Sequence, residues 1–173
     1  NKWMLGTRNS FFIGICATLL ATALGTVAAL GLSRRNMPFK GTIMAILISP
    51  MIVPLIITSA GMFFFYSKIG LTHTYLGLIL AHTALGTPFV VITVTATLTG
   101  FDTNLIRASQ SLGADTMRTF FKVIMPLILP GVISGGLFAF ITSFDEVVVV
   151  MFVGSVEQIT IPKQMWAGLR QET

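Results

Sequence analysis

Four long apolar windows, at 11–32, 41–66, 75–98 and 126–153, constrain this 173-residue chain more than any other feature. A helix needs about 20 mainly apolar residues to cross the hydrocarbon core of a bilayer. Only 10% of the residues are charged, whereas soluble domains carry about 25%. The chain therefore lacks the polar surface that a soluble protein needs, and the windows predict an all-α, multi-pass transmembrane helical bundle.

Prolines interrupt the second and third windows, and hydroxyl side chains accompany them. Pro50 and Pro54 lie in the second window and Pro88 lies in the third. In a membrane bundle, hydroxyls and neighbouring helices can satisfy the carbonyls that a proline leaves free. Gly131 and Gly135 form a small-xxx-small pair that favours close helix packing. The hydroxyls that we expect to serve the third window belong to Thr83, Thr87, Thr93, Thr95 and Thr97.

The basic residues flank the apolar windows and do not form one cluster. This suits membrane topology and not a nucleic-acid-binding surface, although the formal net charge is +5. We place the short loop 34–40 and the stretch 101–122 in the cytoplasm, because Lys and Arg favour that side. Both ends of the chain then face outward, so we expect at least one further span beyond each. Cys16 has no disulfide partner and His82 has no second ligand at helical spacing, so we expect no disulfide, metal site or cofactor.

The stretch 102–122 is the one long segment that is both charged and helix-like. Asp102 and Asp115 are residue types that cap helix N-termini, and Gly113 lies where a left-handed glycine ends a helix. The pattern predicts two short helices with a bend between them. The apolar face of the first helix consists of Leu105, Ala108 and Leu112. The segment is either a plain cytoplasmic loop or a docking element whose apolar face is buried against a partner.

At this stretch the sequence resembles the permease subunits of bacterial ABC importers. These carry a cytoplasmic loop of the form Glu-Ala-Ala, three residues, Gly, nine residues, Ile, one residue, Leu-Pro. The spacing fits at every position, with Val and Met as like-for-like replacements and Arg in place of the leading Glu. The matching residues are Arg107, Ala108, Ser109, Gly113, Val123, Met125 and Pro126. The resemblance implies one permease domain over 1–173 with the type I ABC importer fold.

In that family the loop forms coupling helices that lie in a groove of a cytoplasmic ATPase. The resemblance implies that Gly113 sets the bend and that Leu105 and Leu112 supply the apolar contact. Because Arg107 replaces the family's carboxylate, its partner on the ATPase is expected to be an acidic or carbonyl group. The other residues of the implied ATPase-coupling set are Ala108, Ser109, Asp115 and Arg118.

The sequence contains no G-x-x-x-x-G-K-[ST] phosphate-binding loop, so a separate chain is expected to hydrolyse ATP. The family implies cytoplasmic ABC ATPase subunits, a second permease chain, an external substrate-binding protein and membrane lipid as partners, and no nucleic acid. It also implies alternating access in a bacterial inner membrane, with no catalytic residue in this chain. An ion-coupled secondary carrier would need inverted repeats, and an intramembrane enzyme would need a facing nucleophile and base. We find neither pattern.

Asp145 and Glu146 bring two carboxylates into the fourth window. Such groups are costly at membrane depth and usually face a bundle interior or water. They line the translocation pathway, pair with a basic residue, or lie in an outer loop after a helix end at Phe144.

The runs TSFDEVVV and TIPKQMWAGLRQET resemble the spermidine/putrescine permeases, which implies a cationic polyamine as the solute. An opine, an amino-acid derivative or an inorganic ion is the alternative. Trp166 either lies at the membrane interface or contacts the binding protein.

Overall fold

The computed structural model describes residues 2–34, 36–102 and 104–169, so residues 170–173, the end of the run TIPKQMWAGLRQET, lie outside it. Within the described ranges the chain forms helices and loops and no strand, which confirms the all-α prediction. The helices are α1 (Lys2–Leu32), α2 (Lys40–Ile52), α3 (Leu55–Ile69), α4 (Tyr75–Thr99), α5 (Asn104–Ser111), α6 (Thr116–Thr119), α7 (Met125–Asp145), α8 (Val148–Val153) and α9 (Ile161–Leu169). A π-helical turn, Phe120–Ile124, joins α6 to α7.

Three helical stretches of the described chain are long and apolar enough to cross a bilayer. They are α1, α4 and the continuous stretch Thr116–Asp145, which contains α6, the π-helical turn and α7. The helices α2 and α3 pass the same test only as a pair, and they are bent by 104° relative to each other.

The second window, 41–66, is therefore not one straight helix, and the reason is local. Its two helices are separated at Val53 and Pro54, and Val53 has an extended backbone with φ −71° and ψ 134°. Pro54 disfavours the helical conformation for the residue before it and offers no N–H for a helical hydrogen bond. Pro50 and Pro88, by contrast, lie inside continuous helices.

The fourth window, 126–153, also differs from the single span that its apolar character predicts. The helix α7 ends at Asp145, and Glu146 is extended with φ −75° and ψ 122°. The Oε1 atom of Glu146 accepts a hydrogen bond from the backbone N–H of Val149 at 2.8 Å. Glu146 therefore caps the first turn of α8 and starts a new helix instead of continuing the old one.

Two hydrophobic clusters fix the relative directions of the long helices. At one end of the bundle, Ile13 of α1 and Leu78 of α4 belong to the same cluster. At the other end, Ala29 of α1 and Val94 of α4 pack in a cluster with Ile128 of α7. The helices α1 and α4 thus run parallel, and α7 runs antiparallel to both. The loop 34–40 and the stretch 101–122 therefore lie at the same end of the bundle, as the cytoplasmic assignment requires.

Small residues let α7 lie close to α4, and threonine hydroxyls bond to carbonyls of α4 itself. A Cβ atom on Gly131 would lie 2.7 Å from the Thr97 hydroxyl oxygen, and one on Gly135 would lie 2.7 Å from the Cα of Val90. These glycines therefore allow α7 to approach α4 closely, as their spacing predicts. Four of the five predicted threonine hydroxyls donate to carbonyls of α4 at 2.7–3.3 Å, namely Thr83, Thr87, Thr93 and Thr97. The buried hydroxyl of Thr95 has no such partner within the described residues.

Candidate functional site

The segment 104–124, here called the α5–α6 segment, is bent at Gly113. The backbone N–H of Ala114 donates to the carbonyl of Ser109 at 3.0 Å, and that of Gly113 donates to Gln110 at 2.9 Å. This pair of bonds is the Schellman arrangement that ends a helix with a left-handed residue. Gly113 has φ +82°, a conformation that glycine adopts without a steric penalty. The predicted bend is therefore present, and its backbone geometry favours glycine.

Side-chain caps begin both helices of the α5–α6 segment. The Asp102 carboxylate accepts from the backbone N–H of Asn104 at 2.9 Å. The Asp115 carboxylate accepts from the backbone N–H of Arg118 at 2.7 Å. Asp102 and Asp115 thus satisfy amide groups that a helix start leaves free. A 2.9 Å hydrogen bond between the hydroxyls of Ser109 and Thr119 then links α5 to α6.

The α5–α6 segment exposes large apolar side chains at the end of the bundle. Leu112 is 88% exposed, and Leu105, Met117 and Phe121 are also exposed. A groove of about 520 Å³ is lined by Gly113, Asp115, Met117, Arg118, Phe121 and Lys122. The structure thus brings three predicted site residues, Gly113, Asp115 and Arg118, to one groove.

The other predicted residues lie elsewhere on the α5–α6 segment. Arg107 and Ala108 are exposed on α5 with Leu105, and Ser109 is half-buried in the link to α6. Sequence reasoning missed Met117 and Phe121. The sequence did contain a sign of this exposed apolar surface, because each is a large apolar residue between charged ones in a segment assigned to the aqueous side.

The second short helix is continuous with a membrane span. The backbone N–H of Met125 donates to the carbonyl of Phe120, which is the wider hydrogen-bond register of a π-helical turn. The stretch Thr116–Asp145 therefore runs for 30 residues without a break, about 45 Å at a rise of about 1.5 Å per residue. The helix α6 and Asp145 thus lie at the two ends of one continuous helical stretch.

A cleft lies where the two interrupted windows meet. Its volume is about 370 Å³, and its walls include the α2–α3 break at 50–55, Leu85 and Phe89 of α4, Thr142 of α7, and Glu146. Glu146 is only 6% exposed. Within the described part of the chain, no Lys, Arg or His side chain forms an ion pair with it. The cleft is an apolar cavity with one carboxyl group that has no cationic partner among these residues.

The two predicted pathway carboxylates face different surroundings. Asp145 is exposed at the end of α7 and does not line the cleft, whereas Glu146 does. Nearby, the Nδ1 atom of His82 lies 2.8 Å from the Ser143 hydroxyl, and the His82 ring is 2% exposed. His82 is thus a hydrogen-bonded residue of the α4–α7 interface, as its sequence surroundings predict.

At the end opposite the α5–α6 segment, buried polar side chains hold the connection between α8 and α9. The Asn9 amide donates to the carbonyls of Glu157 and Ile159 at 3.1 and 3.0 Å. The Gln158 amide donates to the carbonyl of His73 at 3.0 Å. Asn9 and Gln158 are only 2% and 3% exposed. Sequence reasoning missed both, because partners this far apart in the chain leave no local pattern.

This arrangement of spans, bent segment and broken helices matches a known family. The family model for binding-protein-dependent transport system inner membrane components matches residues 21–169. The chain belongs to this family. With its apolar spans, it is a multi-pass protein of the inner membrane.

Several relatives are named transport proteins. The chain is 32% identical over 159 residues to the spermidine/putrescine transport system permease protein PotC of Haemophilus influenzae. The alignment covers 92% of this chain and 62% of that relative. It is 30% identical over 171 residues to the putrescine transport system permease protein PotI of Escherichia coli, covering 93% of this chain and 60% of that one. The chain therefore spans about three fifths of the length of these relatives.

A solved structure has the same fold. It is the crystal structure of a bacterial ABC transporter involved in the import of the acidic polysaccharide alginate. The TM-score is 0.76 at 16% identity, over 96% of this chain and 57% of that one. The likeness shows that this member of the transport-component family has an ABC importer permease fold.

Proposed function

We propose that this chain is the permease subunit of an ATP-driven ABC importer that carries a small cationic solute of the polyamine class. The observation that carries the proposal is the bent, exposed α5–α6 segment, which is continuous with the span Thr116–Asp145 in a member of a binding-protein-dependent transport family. The chain would form a single permease domain and perform no chemistry itself. A separate ATPase chain would supply the energy, in agreement with the absence of a phosphate-binding loop from this sequence.

The α5–α6 segment is the proposed ATPase contact. The stretch Thr116–Asp145 has 30 residues, whereas about 20 are enough to cross a bilayer, so its first turns would extend beyond the membrane. Large apolar side chains exposed there are otherwise unfavourable in water and indicate a partner surface. Leu112, Met117 and Phe121 would enter the ATPase groove, and Arg118 and Lys122 beside them would meet acidic groups. The polar and small residues that complete this surface are Arg107, Ala108, Ser109 and Asp115, with Leu105 beside them.

Movement of the ATPase subunits would reach the cleft through one continuous helix. The Gly113 bend and the hydroxyl bond between Ser109 and Thr119 hold α5 against α6, and α6 continues into α7. The end of α7 lies directly before Glu146 at the cleft. Closure of two ATPases would therefore tilt α7 and change access to the cleft, with a second permease chain forming the other wall. An external binding protein would deliver the solute at the far end.

The cleft supports the choice of a cationic solute. A buried carboxylate without a basic partner can replace part of the hydration that an ammonium group loses. Phe89 lines the same cleft, and the faces of aromatic rings attract cations. The relatives PotC and PotI are described as spermidine/putrescine and putrescine permease proteins. Glu146 would bind the cation in the cleft, and the exposed Asp145 would attract it at the pathway mouth.

Uptake by the complete transporter tests this proposal. Proteoliposomes loaded with ATP should accumulate labelled putrescine or spermidine, and a dissipated proton gradient should leave the initial rate unchanged. Glu146→Gln should lower the uptake rate by about tenfold or more, since removing a buried charge contact costs about 1.5–3 kcal/mol. Asp145→Asn, exposed to solvent, should cost about fivefold or less. Uptake that depends on the proton gradient and does not depend on ATP would refute the assignment as an ATP-driven importer. ATP-dependent uptake that both variants leave intact would refute the pathway assignment.

A further inference from the structure

A basic pocket lies at the end of the bundle opposite the α5–α6 segment. Its volume is about 530 Å³. Lys2 at the start of α1, His73 in the loop before α4, and Lys163 in the first turn of α9 contribute to its walls. The remaining walls come from α9 and from four residues of the connection between α8 and α9, namely Gly154, Ser155, Val156 and Ile159. The exposed Glu157 of that connection does not line the pocket. None of the described lining residues is an acid, so the three basic side chains face the same space without a carboxylate between them.

Lys163 holds its charge in this pocket with neutral partners only. Its ammonium group donates to the carbonyls of Val150 and Ser155, each at 3.2 Å. An ammonium group has three N–H donors, so one remains after these two bonds. Partial burial also lowers the pKa of Lys163 from its usual value, because desolvation disfavours the charged form. An anion in the pocket would offset this cost and accept the remaining hydrogen bond.

His73 is held at the pocket in an unusual backbone conformation. Its φ is +61°, a region that non-glycine residues seldom adopt. Its N–H donates to the carbonyl of Val153 at 2.8 Å, and its carbonyl accepts from the Gln158 amide at 3.0 Å. Residues held in sparsely populated conformations cluster at ligand-binding and active sites. The end of α8 and the connection after it thus hold both His73 and the ammonium group of Lys163 at one cavity.

We propose that this pocket receives an Asp or Glu side chain of the soluble binding protein that docks at this end. The inference rests on the proposed function, because it assigns the partner's contact. Opposite charges at an interface orient the partner and raise the association rate. The segment 154–164 lies beyond the ends of the spans and offers a partner the side chain of Val156, which is 85% exposed. A cavity of this size admits a whole acidic side chain, with the carboxylate placed between the two lysines.

The test measures binding between the full transporter in nanodiscs and the purified binding protein of the same transport system. Lys2→Met and Lys163→Met each remove one charge and keep a long side chain. Lys68→Met is the matched control, because Lys68 is an exposed lysine at the same end, in the last turn of α3, and does not line the pocket. Each pocket variant should raise Kd about two- to fivefold at low salt. The control should change Kd little, and the differences should shrink as salt rises.

Three results would overturn the pocket assignment. One is an unchanged Kd in both pocket variants while the unmodified transporter binds normally. Another is an equal loss in the Lys68 control. The third is a result in which the pocket variants lose retention on phosphatidylglycerol vesicles, relative to phosphatidylcholine vesicles, while their Kd for the binding protein is unchanged. That result would assign the pocket to lipid. No binding by the unmodified transporter would instead refute the proposed function itself. Lys163→Met removes the two bonds from Lys163 to backbone carbonyls and could therefore impair folding. Lys2→Met leaves these bonds in place, so it tests the pocket without that complication.

Discussion

The bend at Gly113 offers a graded test of the α5–α6 segment as the ATPase contact. A Cβ atom placed on Gly113 would meet no other atom of the described chain within 4 Å, so crowding inside the chain contributes nothing to the effect of Gly113→Ala. The cost comes from the backbone alone, because φ is +82°. An L-residue in the left-handed region costs about 1–2 kcal/mol. That changes the ratio of bent to unbent segments by about 5- to 30-fold.

The assay is ATP hydrolysis by the reconstituted full transporter, with and without saturating binding protein and solute. We expect the stimulated rate to fall in the order Gly, Asn, Ala, Val at position 113. Asn tolerates the left-handed region better than other residues, and a β-branched residue is a severe outlier there. Immunoblots of the membrane fraction should show comparable amounts of each variant, since the position is exposed.

Two other glycines supply matched controls. Gly100 ends α4 close to the same segment with φ −88°, so Gly100→Ala carries no left-handed penalty. Gly70 has φ +71° and open space where a Cβ would be added, but it lies at the end of α3. Gly70→Ala therefore imposes the same backbone cost away from the α5–α6 segment. Stimulation that survives Gly113→Ala as well as Gly100→Ala would refute the reasoning. An equal loss of stimulated ATP hydrolysis in Gly70→Ala would show that the effect is general destabilisation and not a property of the α5–α6 segment.

Two further predictions concern packing and the outer connection. Asn9→Ala removes the donor to two carbonyls of the connection between α8 and α9. It should destabilise the protein by about 1–3 kcal/mol, measured as a lower midpoint of thermal unfolding in detergent. An unchanged midpoint would contradict this prediction. Gly135→Leu should lower the midpoint strongly, because overpacking costs about 1–3 kcal/mol or more, whereas Gly31→Leu, with nothing within 4 Å of its added Cβ, should not. Equal effects of the two leucines would refute the close-packing argument.

Local chemistry made the α5–α6 segment predictable. Caps and glycine ends depend on residues within a few positions of each other, so Asp115 and Gly113 could be assigned their roles from the sequence. The alternation of the long helices followed from the order of the apolar windows, and the placement of the loops 34–40 and 101–122 in the cytoplasm stays a prediction. The family motif added the expected partner, which no local rule supplies.

The helix breaks could not be predicted with the same assurance. Pro50, Pro54 and Pro88 look alike in the sequence, yet only Pro54 lies at a 104° bend. Whether a helix continues past a proline depends on neighbouring helices that satisfy the freed carbonyls. The break before Glu146 was hidden by the apolar run that follows it, since the signal is a single carboxyl group that caps α8. The separate environments of Asp145 and Glu146 depend on that break.

Cross-linking from Leu112 tests the central claim, that the α5–α6 segment contacts a nucleotide-hydrolysing subunit. A single cysteine at Leu112, which is 88% exposed, would carry a thiol-reactive photo-cross-linker in an active transporter with Cys16→Ser. A matched cysteine at Val156, 85% exposed, would probe the opposite end. We predict an adduct with the ATPase subunit from position 112 and none from position 156. An active transporter that gives no ATPase adduct at position 112, or gives one at position 156, would contradict the account.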